Sequence, residues 1–284
     1  MMNLTSVKEA GGTLKTVAPA DRPEHEKIGP VLPLTTPRPA ARPLDGSKIR
    51  RSVVTLAPAG AELDDRQQVM AEQFRHLRTK IRALRKDLQM RTVLVTSSLP
   101  GEGKTTIAAN LAGTLSRIEG MRVLLLDFDL RKPALHTVFG VDVPPRAVSP
   151  LKGEANWQQS IYRVNRRLDV LLTFTALAEP DLLLQSTRLE HILAEARSEY
   201  DIVVLDSAPL LAVADTQVLV PLVDCALFVV NANETPIGAA QEALGMLRDK
   251  VVGSIVNRVD RLKSEGYYLK SGYGYAYGSH RSEE

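Results

Sequence analysis

The stretch "VTSSLPGEGKTT", residues 95–106, follows a short hydrophobic run and decides how the rest of the sequence is interpreted. Its segment SLPGEGKT, residues 98–105, has the spacing of a phosphate-binding loop, with Ser98 where the first glycine usually stands. Gly101 and Gly103 allow backbone N–H groups to turn toward one point. A helix that begins just after them would aim its positive end at the same point. The stretch therefore predicts a strand, a phosphate loop and a helix, in that order.

This loop predicts a nucleotide site that holds ATP and Mg²⁺. Lys104 would reach the β- and γ-phosphates, and the Thr105 hydroxyl would bind Mg²⁺. The alternative is a purely structural glycine loop, against which the strand before the loop and the helix after it both argue. The residues expected to contact the nucleotide are Ser98, Pro100, Gly101, Glu102, Gly103, Lys104, Thr105 and Thr106.

Two further hydrophobic runs end in carboxylates. "VLLLDFDLRKP" places Asp127 and Asp129 at the end of one expected strand, and "IVVLDSAP" places Asp206 at the end of another. Beside a phosphate loop, Mg²⁺ and an attacking group need acceptors at such positions. Any one of these residues could instead be a helix cap or a solvated loop residue. Together the three carboxylates and Lys104 are the predicted catalytic residues, and the carboxylates and Thr105 the predicted metal ligands.

Hydrophobic β-rich runs and helical patterns alternate after residue 91, which predicts an α/β fold with a doubly wound, mostly parallel sheet. The strands are nearly continuous Val, Leu and Ile runs, as expected when helices cover both faces of the sheet. Strands are expected at residues 92–98, 122–129, 168–174, 201–209, 225–232 and 251–257. Helices are expected at residues 104–117, 186–200, 214–223 and 235–250.

The chain is expected to divide into four segments. Residues 1–60 hold eight of the 17 prolines and are expected to be disordered, either as a plain linker or as a docking segment. Residues 61–90 would form a helical oligomerisation segment and residues 91–262 the P-loop NTPase domain. Residues 263–284 would be a flexible tail rich in tyrosine.

The expected helix within residues 61–90 has two distinct faces. The apolar face repeats at three- and four-residue steps and is expected to be buried. It consists of Phe74, Leu77, Ile81, Leu84 and Leu88. The second face carries Glu72, Arg75 and Arg78 at three-residue spacing, and it is either a solvated surface or an interface.

Composition argues against several functions. A net charge of +3 is too small to indicate a nucleic-acid partner. The N-terminal stretch has no signal-peptide pattern, and no apolar run reaches the ~18 residues of a membrane span. The single cysteine, Cys225, cannot form an internal disulfide and fits a cytoplasmic protein. The five histidines have no metal-ligand spacing, which argues against a metal hydrolase.

The motifs SSLPGEGKTT, LLLDFDLRKP and VVLDSAP resemble the three Walker-type motifs of bacterial tyrosine kinases, P-loop autokinases that control capsule and exopolysaccharide synthesis. "EQFRHLRTK" resembles the E-x-x-R-x-x-R segment through which subunits of that family join in a ring. "SIVNRVD" and the tyrosine tail also match, so that the resemblance covers residues 68–278. It implies an ATP-dependent protein-tyrosine autokinase that forms a homo-oligomeric ring through Glu72, Arg75 and Arg78.

The resemblance also implies partners. Relatives with a fused transmembrane module have helices that this chain lacks, so the resemblance is to the stand-alone cytoplasmic kind. That kind is activated by a separate membrane polysaccharide co-polymerase or adaptor and is recruited to the inner face of the plasma membrane. A cognate phosphotyrosine phosphatase is the second implied partner.

Residue roles follow from the same resemblance. Asp127 would be the base, Asp129 would assist through Mg²⁺ or its water shell, and Asp206 would hold the Mg²⁺ shell. Asn257 would contact adenine. The phosphate acceptors would be Tyr267, Tyr268, Tyr273, Tyr275 and Tyr277, in a stretch that neighbouring glycines keep loose.

Two other classes of protein stay open. Partition and septum-positioning ATPases share the P-loop but carry a second lysine five residues before the P-loop lysine, where this chain has Leu99. A nucleotide-dependent scaffold of polysaccharide machinery would need no phosphotransfer. A eukaryotic-type protein kinase is excluded because the sequence has no H-R-D catalytic loop. The chain departs from the tyrosine-kinase pattern at residues 133–182 and at Lys80, where that family commonly has Asn.

Overall fold

The computed structural model describes residues 41–57, 61–144, 157–177, 180 and 187–259. These residues form an eight-stranded sheet with helices packed on both faces. The strands are β1 (Arg42–Pro43), β2 (Thr92–Ser97), β3 (Val123–Phe128), β4 (Ile161–Asn165), β5 (Leu168–Leu171), β6 (Ile202–Ser207), β7 (Cys225–Asn231) and β8 (Val251–Asn257). The helices are α1 (Asp65–Leu88), α2 (Lys104–Leu115), α3 (Leu135–Val138), α4 (Thr187–Glu199), α5 (Asp215–Leu219) and α6 (Ile237–Leu247).

The order of the strands sets where the site lies. They are arranged β1-β4-β5-β3-β6-β2-β7-β8, and every neighbouring pair is parallel except β4 and β5. This confirms the predicted α/β class and the mostly parallel sheet. β2, which leads into the phosphate loop, lies between β6 and β7, and β3 lies on the other side of β6. The carboxyl ends of β2, β3 and β6 therefore meet at one edge of the sheet.

All six expected strands are present, and β1 and β4 are two further strands that were not predicted. β2, β3 and β6 are buried along their whole length, which is why their Val- and Leu-rich runs were recognisable. β4 alternates between more and less exposed residues and pairs antiparallel with β5 near the edge of the sheet. Its sequence, IYRVN, has no continuous apolar run.

Residues 41–57 are ordered, so the prediction of disorder for residues 1–60 is wrong for this part. β1 pairs with β4, and the Leu44 N–H donates to the Arg163 carbonyl oxygen at 2.9 Å. Val53 and Val54 are buried in the core. A proline is compatible with β1 because an edge strand does not need every backbone donor. Residues 1–40 and 58–60 lie outside the described residues.

α1 packs into the same hydrophobic core as α2. Phe74, Leu77 and Ile81 are buried as predicted, and Leu84 is partly buried against that core. Leu88 is 59% exposed, so its predicted burial is wrong: it is the last residue of the helix and extends past the core. Within the described part of the chain, no helix is long and apolar enough to cross a membrane.

Phe74→Ala should lower the free energy of unfolding by about 3–5 kcal/mol, because it removes a fully buried ring from the contact between α1 and the core. Urea denaturation followed by circular dichroism measures this change. Val69→Ala is the matched control on the same helix, since Val69 is 48% exposed. It should change the stability by less than about 0.5 kcal/mol. Equal effects of the two substitutions would contradict the placement of α1.

Candidate nucleotide and magnesium site

The loop between β2 and α2 forms the base of the site. Gly101 has a φ of +83° and Gly103 a φ of +98°, left-handed conformations that favour glycine. Gly103 is the N-cap of α2, so the free backbone N–H groups of the first turn of α2 lie at this loop. Lys104 is the first residue of α2 and is only 6% exposed. The strand, loop and helix follow one another as predicted and form an anion-binding geometry.

Glu102 holds the loop from the inside. Its side chain is buried, and its carboxylate accepts hydrogen bonds from the Leu99 N–H at 2.9 Å and from the hydroxyl of Thr235. Thr235 lies in the turn between β7 and α6. The Glu102 carboxylate is therefore bonded to the protein, and the predicted contact of Glu102 with the nucleotide stays a prediction, with its backbone amide as the group that phosphate could reach. Nothing in the sequence pointed to Thr235.

Asn257 supports the same loop from the end of β8. Its side-chain amide donates to the Glu102 carbonyl oxygen at 2.9 Å. A Cβ atom on Gly103 would lie 2.3 Å from Asn257 Nδ2, so the position tolerates only glycine while this contact is kept. The adenine contact expected of Asn257 stays a prediction, and its observed contact is with the loop backbone.

Asp127 and Asp206 lie side by side at the edge of the sheet. They are register partners on β3 and β6, and Asp206 is also the register partner of Val95 on β2. Register partners on neighbouring strands project from the same face of the sheet and are about 4.8 Å apart. Both carboxylates are buried, with exposures of 3% and 0%. The strand order thus brings together two carboxylates that are 79 positions apart in the sequence.

Backbone amides orient Asp127 and Asp129. The Asp127 carboxylate accepts from the Asp129 N–H at 3.3 Å and from the Leu135 N–H at 3.2 Å. Leu135 begins α3, so Asp127 also caps that short helix. Asp129 accepts from the Lys132 N–H at 3.0 Å. These bonds fix both side chains before any ligand arrives.

The electrostatics of the site favour a cation. Burial raises the pKa of Asp206 to about 7, although the positive charge of Lys104 acts in the opposite direction. Burial, and then the charge of Asp206, hold the pKa of Asp127 well above its ordinary range. Burial also raises the pKa of Asp129. A divalent cation would relieve this unfavourable concentration of buried negative charge.

The residues present fit a magnesium ion held together with a nucleotide. Neither carboxylate oxygen of Asp206 has a hydrogen-bond partner among the described residues, and the same holds for Ser98 Oγ. Thr105 lies near enough to lower the pKa of Asp206. No group of three or more Asp, Glu, His or Cys in the described ranges is arranged to hold a metal alone. Mg²⁺ suits such a site because it takes few protein ligands and completes its shell with phosphates and water.

Arg131 positions the loop that follows β3. Its guanidinium makes two hydrogen bonds to the Asp215 carboxylate, at 2.7 and 2.9 Å. Asp215 is 3% exposed and begins α5, so the ion pair ties two loops together beside the carboxyl edge. No feature of the sequence alone indicates a role for Asp215.

The other predicted functional residues lie apart from the loop. Glu72 and Arg75 form an ion pair of 2.8 Å on the outer face of α1, with about half of each side chain exposed. Arg78 is partly buried on the same helix. Their role in assembly stays a prediction. The acceptor residues lie outside the described residues: Tyr267, Tyr268, Tyr273, Tyr275 and Tyr277.

Comparison with known proteins agrees with this geometry. Residues 90–241 match the model of a family described as an AAA domain. The chain is similar to the tyrosine-protein kinase YwqD of Bacillus subtilis, with 35% identity over 235 residues, which covers 81% of this chain and 96% of that protein. It is also similar to the succinoglycan biosynthesis transport protein ExoP of Rhizobium meliloti, with 32% identity over 206 residues. That match covers 70% of this chain and only 26% of ExoP.

Solved structures show the same likeness. The kinase domain of VpsO matches with a TM-score of 0.61 and 31% identity, covering 70% of this chain and all of that domain. The septum site-determining protein MinD of Pyrococcus horikoshii, solved with Mg-ADP, matches with a TM-score of 0.50 and 25% identity over 60% of this chain and 71% of that one.

The fold and the loop define a P-loop nucleotide-binding domain of the AAA type. Within that class, the chain belongs to the family of bacterial protein-tyrosine kinases.

Asp206→Asn should stabilise the nucleotide-free protein near neutral pH. Because the folded state holds the Asp206 proton up to a pH of about 7 and the unfolded state only to about 3.8, this carboxyl lowers the free energy of unfolding as the pH rises between these values. At pH 8 the variant should gain on the order of 2–4 kcal/mol, and at pH 4 almost nothing. Urea denaturation without Mg²⁺ at both pH values measures the difference. A gain that is equal at both would contradict the assignment.

Proposed function

We propose that the chain is an ATP-dependent protein-tyrosine autokinase that phosphorylates the tyrosines of its own C-terminal tail. The observation that carries this proposal is the pair of buried carboxylates, Asp127 and Asp206, in register beside Lys104 at the end of the phosphate loop. A buried, unpartnered carboxylate next to an anion-binding loop suits a nucleotide bound with Mg²⁺. Family membership adds tyrosine as the acceptor.

Each residue has a proposed part in binding. Lys104 and the amides of the loop bind the phosphates of ATP. Thr105, Asp127, Asp129 and Asp206 are the proposed magnesium ligands, directly or through water. When bound, Mg²⁺ supplies positive charge against the phosphates and the buried carboxylates. Likeness to MinD, whose structure contains Mg-ADP, supports this pairing of nucleotide and metal.

The proposed reaction is an in-line displacement. The tyrosine oxygen attacks the γ-phosphorus, a new O–P bond forms, and the bond from that phosphorus to the bridging oxygen of ADP breaks. The phenol has a pKa of about 10, so its proton needs an acceptor during attack. Asp127 is the proposed base: burial raises its pKa, and backbone amides at 3.2 and 3.3 Å fix its orientation. Lys104 stabilises the charge that develops on the transferred group.

The tail has the reach that this proposal needs. Tyr277 follows Asn257, the last residue of β8, by 20 residues. A flexible stretch of that length would span roughly 25 Å, and we propose that this lets it enter the site of a neighbouring subunit. We propose transfer in trans within a ring that is assembled through Glu72, Arg75 and Arg78. Each phosphate adds about −1.5 to −2 charge, so a modified tail should be repelled by the carboxylates and loosen the ring.

The proposed biological role is regulation of capsule or exopolysaccharide synthesis and export. The name of ExoP places that relative in succinoglycan biosynthesis and transport. This chain matches about a quarter of ExoP and 96% of YwqD. The proposed activator is a separate membrane polysaccharide co-polymerase or adaptor that recruits the kinase to the inner face of the plasma membrane. A cognate phosphotyrosine phosphatase would reset the tail.

Intact-mass measurement tests the chemistry. Protein stripped of phosphate and given Mg²⁺-ATP should gain mass in steps of one phosphate, located at residues 267–277. Lys104→Ala should slow this gain at least about 100-fold, because it removes a charge that stabilises transfer. Lys86→Ala, an exposed lysine on α1, is the control and should behave like the wild type. Replacement of all five tail tyrosines by Phe should abolish incorporation; full incorporation elsewhere in the chain would refute the acceptor assignment.

Mixing two variants tests transfer in trans. Lys104→Ala retains the acceptors but lacks the lysine, and the variant with five Phe residues retains the lysine but lacks the acceptors. Phosphate should appear on the Lys104→Ala chains only in the mixture.

If the wild-type protein gains no mass even when a candidate membrane adaptor segment is supplied, the kinase proposal is wrong. The alternatives are then the P-loop ATPase or the nucleotide-dependent scaffold.

Reversal of charge at Arg75 and Arg78 should break assembly. The Arg75→Glu, Arg78→Glu double variant places like charges beside Glu72, which in the structure pairs with Arg75 at 2.8 Å. Sedimentation velocity of the unphosphorylated protein should show a ring for the wild type and a monomer for the variant. Lys80→Glu, an exposed position of the same helix outside the motif, is the control and should still assemble. If the double variant still assembled, α1 would not be the interface.

A further inference from the structure

Residues 52–57, hereafter the strap, lie directly against α2, the helix that begins with Lys104. Thr55 is 5% exposed, and its backbone N–H donates to Asn110 Oδ1 at 3.2 Å. Its hydroxyl donates to the Asn110 carbonyl oxygen at 3.0 Å. Val53 and Val54 are buried beside it. The strap is therefore attached to α2 by buried contacts.

Asn110 joins the strap to the first turns of α2. Its side chain is fully buried, and its Nδ2 atom donates to the Ser52 carbonyl oxygen at 2.8 Å and to the Thr106 carbonyl oxygen at 2.9 Å. Its Oδ1 atom accepts from Thr55, as described above. Thr106 follows Lys104 and Thr105, the proposed ligands of phosphate and Mg²⁺. One side chain thus bonds the strap and the part of α2 that carries the site.

The later turns of α2 and the residues that follow the helix also contact the strap. Arg117 Nε donates to the Thr55 carbonyl oxygen at 2.8 Å. A Cβ atom on Gly113 would lie 2.4 Å from Thr55 Oγ1 and 2.9 Å from Leu56 Cγ, so the strap can approach this closely only because residue 113 is glycine. Glycine in a helix interior costs roughly 0.5–1 kcal/mol relative to alanine. Close contact with the strap gives a physical reason for a glycine at position 113.

The chain just before the strap contacts two more helices, α3 and α1. The Arg50 N–H donates to the Val138 carbonyl oxygen, at the end of α3, at 2.9 Å. Gln67, in the first turn of α1, donates through Nε2 to the Arg51 carbonyl oxygen at 3.1 Å. α3 is the helix whose first N–H bonds Asp127. Residues 50–57 therefore connect α1, α2 and α3.

We propose that the strap is a positioning element for the P-loop helix, with Asn110 as its anchoring residue, and that docking of the strap and binding of nucleotide strengthen each other. The proposal rests on the proposed function only in requiring that Mg²⁺-nucleotide bind at Lys104. A docked strap restrains the turn that carries Lys104 and Thr105. Less conformational entropy is therefore lost when phosphate binds.

Hydrogen exchange of the full-length wild-type protein tests the coupling. Linkage is reciprocal: if the docked strap favours nucleotide, bound nucleotide must favour the docked strap. Saturating Mg²⁺-ADP should therefore slow exchange of the Thr55, Leu56 and Ala57 amides at least about fivefold. A strap with a merely structural role would exchange at the same rate with and without nucleotide.

Gly113→Ala should displace the strap without weakening the helix. Alanine favours helix over glycine, so α2 itself should be more stable, yet the new Cβ atom would overlap Thr55 Oγ1. The strap amides should then exchange faster, and the dissociation constant for Mg²⁺-ADP should rise at least about fivefold. Gly245→Ala is the matched control, because a Cβ atom at this position of α6 meets nothing within 4 Å. Thr55→Ala, combined with Gly113→Ala, removes the clashing oxygen and should recover part of the affinity.

Two results would overturn the proposal. One is unchanged exchange of the strap amides when wild-type protein is saturated with Mg²⁺-ADP, a result that stands even if the variants do not fold. The other is a displaced strap in Gly113→Ala with unchanged affinity for ADP. A wild-type protein that fails to bind Mg²⁺-ADP would refute the proposed function itself, and the coupling with it.

Discussion

Two buried carboxylates, Asp127 and Asp206, are held side by side at the ends of β3 and β6, and the site is organised around this pair. Burial raises the pKa of both carboxylates, and the charge of Asp206 raises that of Asp127 further. Backbone amides bond the Asp127 carboxylate, whereas neither carboxylate oxygen of Asp206 has a hydrogen-bond partner among the described residues, and the charge of Lys104 and the nearby Thr105 only partly offset the effect of its burial. The folded protein thus retains a local destabilisation that a bound cation would remove. Such destabilised sites are common where function limits stability.

The phosphate loop depends on residues far from it in the sequence. Glu102 bonds Thr235 after β7, Gly103 lies against Asn257 at the end of β8, and Asn110 bonds the strap before α1. The eight-residue motif determines the conformation of the loop, and these contacts determine where the loop is held. Because these contacts come from distant parts of the sequence, the loop needs the whole domain to hold its position. For the same reason, distant segments can influence the binding of phosphate.

The sequence alone was sufficient to predict those parts of the fold and of the site that depend on local residue spacing. The phosphate loop and the carboxylates at the ends of β3 and β6 were predictable because each of these motifs directly adjoins a recognisable strand. The Glu102–Thr235, Asn110–Thr55 and Arg131–Asp215 contacts were not, since their partners are 133, 55 and 84 positions apart and meet only through the strand order. Periodicity predicted burial of Leu88, but the last turn of α1 extends past the core. Proline content suggested disorder at residues 41–57, where pairing with β4 and packing on α2 impose order.

Calorimetric titration with ADP, with and without Mg²⁺, tests the central claim most directly when it compares wild-type protein with Asp206→Asn. If the buried carboxylates exist to hold a cation with the nucleotide, Mg²⁺ should raise the affinity of the wild type at least about tenfold and change that of the variant little. The same dependence on Mg²⁺ in both proteins would contradict the account.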